Sequence, residues 1–405
     1  MQPMPDLLTL VEGAPPLRVP LAQRTALALQ DCGAVTVART ESAEHWLLSD
    51  AGQIGVIHVG GHQITIKPKV AVDRLVFMMG YARKPGFWRE DRVRLDSEED
   101  LTEALAETFR RFASKALEQG LLKGYVTVEE TTTVLRGRMR EAEQLKRRYG
   151  RLIPLEVTYD DYTVDIAENR ILLAAARHLL KLPGLRTSTR RGLTRIVWQL
   201  ADVTLPTTGG PLPSWWESRL NSRYVPALRV AEVVLQGRSF EQRRGDLAVS
   251  GFVFSMAKVF EDFVCVALSE AMKSNGGRSE LQYKTHLDVD QQVRIRPDYV
   301  WAREGPRIVV DAKYKAEKPA GFPQADLYQL LAYCTVLGLD DGHLIYASGN
   351  EEPRVHEVVR AGIRIHCHTL DLTDNPLGLI AQVHRLAAAL GATSEPRADL
   401  MTQRA

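Results

Sequence analysis

Three residues in the last third of the chain have the types and spacing for chemistry on a phosphate. Asp298 follows a proline in RIRPDYVW, while Asp311 and Lys313 end the apolar run RIVVDAKYK. Residues two apart on a strand share a face, so Asp311 and Lys313 point one way and Ala312 the other. The turn WAREGP, with Gly305 and Pro306, joins the two runs as a hairpin and brings Asp298 beside Asp311. Two close carboxylates repel unless a cation lies between them. Mg²⁺ suits the pair, because it prefers oxygen ligands and keeps several waters; the Ala312 carbonyl offers a further oxygen. A Mg²⁺ ion there polarises a phosphate and lowers the pKa of a bound water. Lys313 then orients that water or neutralises charge on the pentacovalent phosphate, and the acids that keep it protonated favour the charge-stabilising role over that of a free base. The bland alternative is a surface salt bridge from Lys313 to one acid on an ordinary hairpin. The D-x-K triplet is common. The apolar strand, a PD dipeptide one hairpin away and flanking helices favour the metal site.

The elements that must position these residues form an α-β-β-β-α-β order. A helix is expected over SGFVFSMAKVFEDFVCVALSEAMKS, then strands ELQYKTHL, QVRIRPDYVW and PRIVVDAKYK, then the helix QADLYQLLAYCTVLG. Strands HLIYAS, RVHEVV and IRIHCHTL and the helix NPLGLIAQVHRLAAAL follow. That order implies a mixed sheet flanked by helices over 241–405, and an α/β (α+β) chain overall. Residues 1–96 read as β-rich, with strands HWLLSD, QIGVIHVG and HQITIKPKV, a hairpin turn at Gly60 and Gly61, and a helix capped by Asp73. Ile64 and Ile66 alternate with Thr65 and Lys67, which predicts a half-exposed strand. Residues 97–240 read as mainly helical. One helix begins near a Ser97–Asp100 capping box and ends near Gly120, and IAENRILLAAARHLLKL and TSTRRGLTRIVWQLADV form an amphipathic pair. The helix RYVPALRVAEVVLQG follows the turn-rich PTTGGPLPS; YVTVEETTTVLRGRM reads as strand.

Bulk properties narrow the class. The 405 residues are 45% apolar and 25% charged, with a net charge of +2. Those values are ordinary for a globular protein and exclude a wholly polybasic nucleic-acid binder. No membrane-length apolar run and no signal-like N-terminus are visible, which predicts a cytoplasmic protein without membrane contact. Cys32, Cys265, Cys334 and Cys367 are scattered and predict buried thiols rather than disulfides or a zinc knuckle. Alternation could aim His366 and His368 at one metal, though a structural pair is the commoner arrangement. Charge is locally uneven: Leu135–Arg151 holds seven arginines and lysines against two glutamates, and Arg186–Arg195 holds four arginines and no acid. Arg136, Arg138, Lys146, Arg147 and Arg148 are the candidate phosphate contacts there. An acidic partner surface and a solvated helix face are the alternatives.

The Asp298…Asp311-x-Lys313 set resembles the PD-(D/E)xK nuclease superfamily. By that resemblance Asp298 is the first metal-binding acid, and Asp311 and Lys313 are the second acid and the lysine. Glu261, in KVFEDFV, matches the helix glutamate that reaches the metal or its water shell; a solvated helix acid is the alternative. Gln329 and Tyr333, in LYQLLAY, resemble the Q-x-x-x-Y element of RecB-like members, and at that spacing they share a helix face. A packing role for Tyr333 stands beside this. The likeness continues outside the last third. LLKGYVTVEETTTVLRGRM, DDYTVDIAENRILLAAARHLL with Asn169 and Arg170, RYVPALRVAEVVL and HQITIKPKV are similar, in order, to segments of the McrC family.

That resemblance implies the nuclease subunit of a modification-dependent restriction system. It implies an N-terminal part that docks to a GTP-driven AAA+ McrB-like ring and stimulates its GTPase, the ring carrying the reader of methylated DNA. The sequence has no GxxxxGK[ST] loop, so no nucleotide is expected on this chain itself. Nor is there a convincing pocket for a flipped methylcytosine, Trp215 and Trp216 being the weak candidates. The expectation is a Mg²⁺-dependent endonuclease acting on DNA of methylcytosine type. The alternatives are a stand-alone RecB-like repair nuclease and a non-catalytic regulator of a AAA+ ring.

Overall fold

The computed structural model describes residues 6–393 apart from 43, 84, 86–100, 183, 208–209, 245–246, 315–323 and 348–353. The cap expected of Ser97 and Asp100 lies outside the described residues. The chain divides into two compact units, residues 1–101 with 237–405, and residues 102–236.

The first unit joins the two ends of the chain through one sheet. Strand Leu247–Ser255 runs antiparallel to Gln53–Val59, which pairs with His62–Lys67 and, beyond it, Asp6–Val11. Gly55 permits the join: at φ +134° it faces Val253, and a Cβ there would stand 2.1 Å from the Phe252 carbonyl oxygen. Helix Gln23–Cys32 and the sheet Leu17–Pro20, His45–Asp50, Val35–Arg39 close a core around Leu29, Leu48, Ile57, Ile64 and Val249. Two sequence expectations change here. His62–Lys67 is not half-exposed: it lies between two strands, and Gln63 and Thr65 are buried with the isoleucines. Asp73 sits inside the first turn of helix Val72–Tyr81, whose N-cap is Ala71.

The chemistry-bearing residues lie in the same unit, within the elements of a second sheet and its helices. These elements are α1 (Met256–Ala271), β1 (Arg278–Leu281), β2 (Tyr299–Ala302), β3 (Pro306–Lys313), α2 (Gln324–Leu337), β4 (Asp341–Ala347), β5 (Arg354–Glu357), β6 (Arg364–Leu370) and α3 (Pro376–Thr393). The strand order among the described residues is β1-β2-β3-β4-β6-β5. The β2–β3 pair is an antiparallel hairpin, and β3–β4 and β4–β6 are parallel. A parallel pair needs a crossover, and α2 lies between β3 and β4 in the chain. Glu304 at φ +56° and Gly305 at φ +119° make the expected hairpin turn. The helix expected from Ser250 begins later. Ser250–Ser255 is strand, because its Val/Phe run pairs with Gln53–Val59, and Ser255 caps α1 by accepting the Lys258 N–H at 3.4 Å. Phe260, Phe263, Val264, Ala267 and Leu268 then form the buried helical stripe. All four cysteines are buried thiols. Among the described residues no helix is long and apolar enough to cross a membrane.

The second unit pairs helices Ala167–Leu180, Thr187–Gln199 and Val225–Gln236 with helix Leu101–Leu117 and an antiparallel sheet. In that sheet Leu155–Thr163, not foreseen as a strand, lies between Gly124–Thr132 and Arg138–Met139. Asn169 is fully buried and donates to the Leu122 and Val164 carbonyls; Arg170 pairs with Asp165 at 2.7 Å.

Candidate active site

Asp298 leads into β2 directly after Pro297, and Asp311 lies near the end of β3. Both are buried, at 9% and 1% exposure. The Asp298 carboxylate accepts the Ala312 N–H at 3.0 Å through Oδ2 and the Gln282 side-chain amide at 3.0 Å through Oδ1. Lys313 Nζ lies 2.5 Å from Asp311 Oδ2, on the shared strand face. The same Gln282 amide donates to Glu261 Oε1 on α1, which also receives Lys258 Nζ at 3.0 Å. One amide therefore ties Glu261 to Asp298. Gln282 adopts a left-handed backbone, φ +51°, at the end of β1.

The electrostatics follow from burial and like charge. Burial raises the pKa of Asp298, and the Asp311 charge adds to it. Asp311 is raised by burial too, with Lys313 acting against the rise. Glu261 is raised by burial and then by Asp298. Burial opposes the Lys313 charge, yet Asp311, Asp298 and Asp326 together hold its pKa above the ordinary value. Lys313 is thus a fixed cation and not a free base.

The donor set fits a magnesium ion of the open kind. Among the described residues no three His, Cys, Asp or Glu side chains converge as a closed metal cluster. Mg²⁺ needs only one or two carboxylates when waters and phosphate complete its shell. Asp298 and Asp311 supply these, and Asp311 Oδ2 is held by the Lys313 ammonium at 2.5 Å, which leaves the carboxylate lone pairs room for an ion. The position of Glu261 behind the Gln282 amide suits contact with the water shell.

Other expected residues are placed as follows. Gln329 is exposed and donates to the Tyr333 hydroxyl at 2.6 Å. Tyr333 is 4% exposed; burial raises its pKa, and the Asp311 charge adds to the rise. It both packs in the core and borders the acids. In the second unit Arg136 lies over the Tyr159 ring, and Arg147 and Arg148 reach the buried Glu156 at 3.8 and 3.5 Å. Arg138 and Lys146 are exposed. Trp215 packs under Arg229 and donates to Glu232, so it lines no base pocket. His366 and His368 are parallel rings 6.2 Å apart, His366 against Asp341 at 2.7 Å and His368 against His343 at 3.1 Å. Hydrogen bonds occupy them, and they do not converge on a metal.

Sequence reading missed two residues at the site. Gln282 precedes the ribbon between β1 and β2 and carries no motif. Asp326, in the first turn of α2, is buried and accepts the Tyr346 hydroxyl at 3.1 Å. An acid inside an otherwise apolar helix start was the available signal for it.

Residues 49–347 match the family model described as McrBC 5-methylcytosine restriction system component. The chain belongs to that McrBC family. A solved structure is described as a refined half-complex from the tetradecameric assembly of Thermococcus gammatolerans McrB AAA+ hexamers with bound McrC. One of its chains is similar in fold, with a TM-score of 0.53 and 17% identity over 94% of this chain and 100% of that one. A chain of the cryo-EM structure of the T. gammatolerans McrBC complex aligns over 66% of this chain and 88% of that one, at 17% identity and a TM-score of 0.37. No curated protein matches the sequence. The McrBC match makes the chain a component of a restriction system.

Proposed function

We propose that this McrBC component is the nuclease subunit. It is a Mg²⁺-dependent endonuclease that hydrolyses phosphodiester bonds of methylcytosine-type modified DNA, when assembled with a GTP-driven McrB-like AAA+ ring whose GTPase it stimulates. The observation that carries the reading is the buried pair Asp298–Asp311 with the Lys313 ammonium 2.5 Å from Asp311.

Asp298 and Asp311 would hold the ion, with the Ala312 carbonyl beside them. When bound, Mg²⁺ supplies Lewis acidity to the scissile phosphate. Lys313 places a fixed positive charge where negative charge develops in the transition state, and partial burial makes that charge count for more than it would in water. The Ala312 N–H and Gln282 fix the Asp298 carboxylate plane. The family description supports a methylcytosine-linked substrate, and the fold likeness to a chain from McrB hexamers with bound McrC supports a AAA+ partner.

The test is reconstitution with the AAA+ GTPase, read on methylated and unmethylated plasmid. Wild type is expected to cut methylated plasmid with partner, GTP and Mg²⁺, and not with EDTA. Asp311→Ala is expected to lose cleavage and keep GTPase stimulation. Normal cutting by Asp311→Ala would remove the site assignment, and efficient cutting without any partner would remove the subunit reading.

A further inference from the structure

The chain between Gln282 and Asp298 forms a two-stranded ribbon whose outer face carries three exposed cations. Thr285 pairs with Ile295 and His286 with Arg294, and the Tyr283 N–H donates to the Pro297 carbonyl at 2.9 Å. The Leu287 N–H donates to the Val293 carbonyl at 2.8 Å, so the register is regular from 283 to 297 and places Lys284 opposite Arg296. Cross-strand partners and residues two apart share a face. One face therefore holds Tyr283, Thr285 and Ile295, and Tyr283 and Ile295 pack on the core around Val300, Val309 and Leu330. The other face holds Lys284, His286, Arg294 and Arg296, and its three cations are exposed.

Like charges directly opposite each other destabilise a ribbon. Lys284 against Arg296 is such a pair, and Arg294 stands two residues from Arg296 on the same face. The acid at the turn, Asp288, accepts the Val293 and Gln292 N–H groups at 2.7 and 3.0 Å, and those amides, with a smaller contribution from His286, hold its pKa below the ordinary value. No hydrogen bond or ion pair engages Lys284, Arg294 or Arg296 among the described residues. Three exposed cations without a side-chain partner among the described residues suit an anion supplied from outside.

We propose that this ribbon face is a docking surface for the phosphate backbone of duplex DNA, feeding the strand to Asp298 and Asp311. The inference rests on the nuclease reading of the same site. Position supports it. The ribbon ends at Gln282 and Asp298, whose backbones are joined by a 2.8 Å hydrogen bond. At about 3.4 Å per residue, the Lys284–Arg296 pair lies roughly 7 Å along the ribbon from the first acid. Phosphate contacts position DNA without reading sequence, so methylated and unmethylated duplexes should bind this face alike.

The test is the salt dependence of duplex binding by the full chain in EDTA, read by fluorescence anisotropy. Each phosphate contact contributes about 0.9 to the slope of log K against log salt. The triple variant Lys284→Ser, Arg294→Ser, Arg296→Ser should lose about 2.7 of slope, equally on both duplexes. Its affinity deficit should shrink about 40-fold between 50 and 200 mM salt. Its Tm should not fall, since the substitutions remove repulsion. If the triple variant does not fold, Arg294→Gln alone should lose about 0.9. An unchanged slope overturns the proposal. So does an unchanged slope with lost co-purification of the AAA+ partner, which would make the face a protein contact. The nuclease reading fails separately, through cleavage by Asp311→Ala.

Discussion

Asp298 is held on three sides by groups that set its direction. Pro297 leads the chain into β2, the Ala312 N–H fixes one carboxylate oxygen and the Gln282 amide fixes the other. Supporting partners of a metal ligand are typically worth 10–100-fold in affinity or activity. Gln282→Ala is accordingly expected to cut cleavage about 10–100-fold and to raise the Mg²⁺ concentration for half-maximal rate. Rates measured across a Mg²⁺ series check this, and an unchanged Mg²⁺ dependence would make Gln282 a packing residue. The three central residues were legible because a proline, a hairpin turn and strand alternation each act locally. Gln282 and Asp326 were not. Their roles come from pairing across the sheet and from burial under α2, neither of which leaves a local pattern.

At the scale of elements, β4 and β6 carry a stack of three imidazoles, His343, His366 and His368. Burial lowers His343 to about 3 and His368 to about 4, with repulsion from neighbouring imidazoles adding to both. Their folded values lie below the unfolded value of about 6.5. The unfolded chain then binds more protons below that pH, so stability is full above about 6.5 and is lost as pH falls towards 4. The Tm of the chain should drop over that window, and His343→Phe should flatten the drop; a parallel profile in the variant contradicts this. Under α2, Leu330 is fully buried in the core that backs β3. Leu330→Ala should cost about 2–5 kcal/mol in denaturant unfolding; a cost under about 1 kcal/mol would show a core that collapses onto the gap. The helices and the hairpin were readable from period and turn residues. Ser250–Ser255 was not, because apolar residues before a helix look like more helix until their strand partner, Gln53–Val59, is known. The strand reading of QVRIRPDYVW was too continuous: the structure assigns Arg294–Ile295 and Tyr299–Ala302 as separate strands, with Pro297 between them.

At the scale of the whole molecule, the first and last segments of the chain share one sheet and one unit, so the candidate nuclease does not stand apart from the N-terminal strands. Replacing Gly55 should therefore disturb the nuclease unit from some 200 residues away in sequence. Gly55→Val is expected to lower expression of folded protein and to abolish cleavage, checked by limited proteolysis beside activity. A fully active, protease-resistant variant would show that the strands separate freely. The central claim is that Asp298 and Asp311 jointly hold a divalent ion. The measurement that tests it most directly is Mn²⁺ binding to the full chain, followed by electron paramagnetic resonance of the free ion. The wild type should bind Mn²⁺ saturably and release it to excess Mg²⁺. Asp298→Asn and Asp311→Asn should each lose that binding while keeping an undiminished Tm in EDTA. Undiminished Mn²⁺ binding in both folded variants would contradict the account.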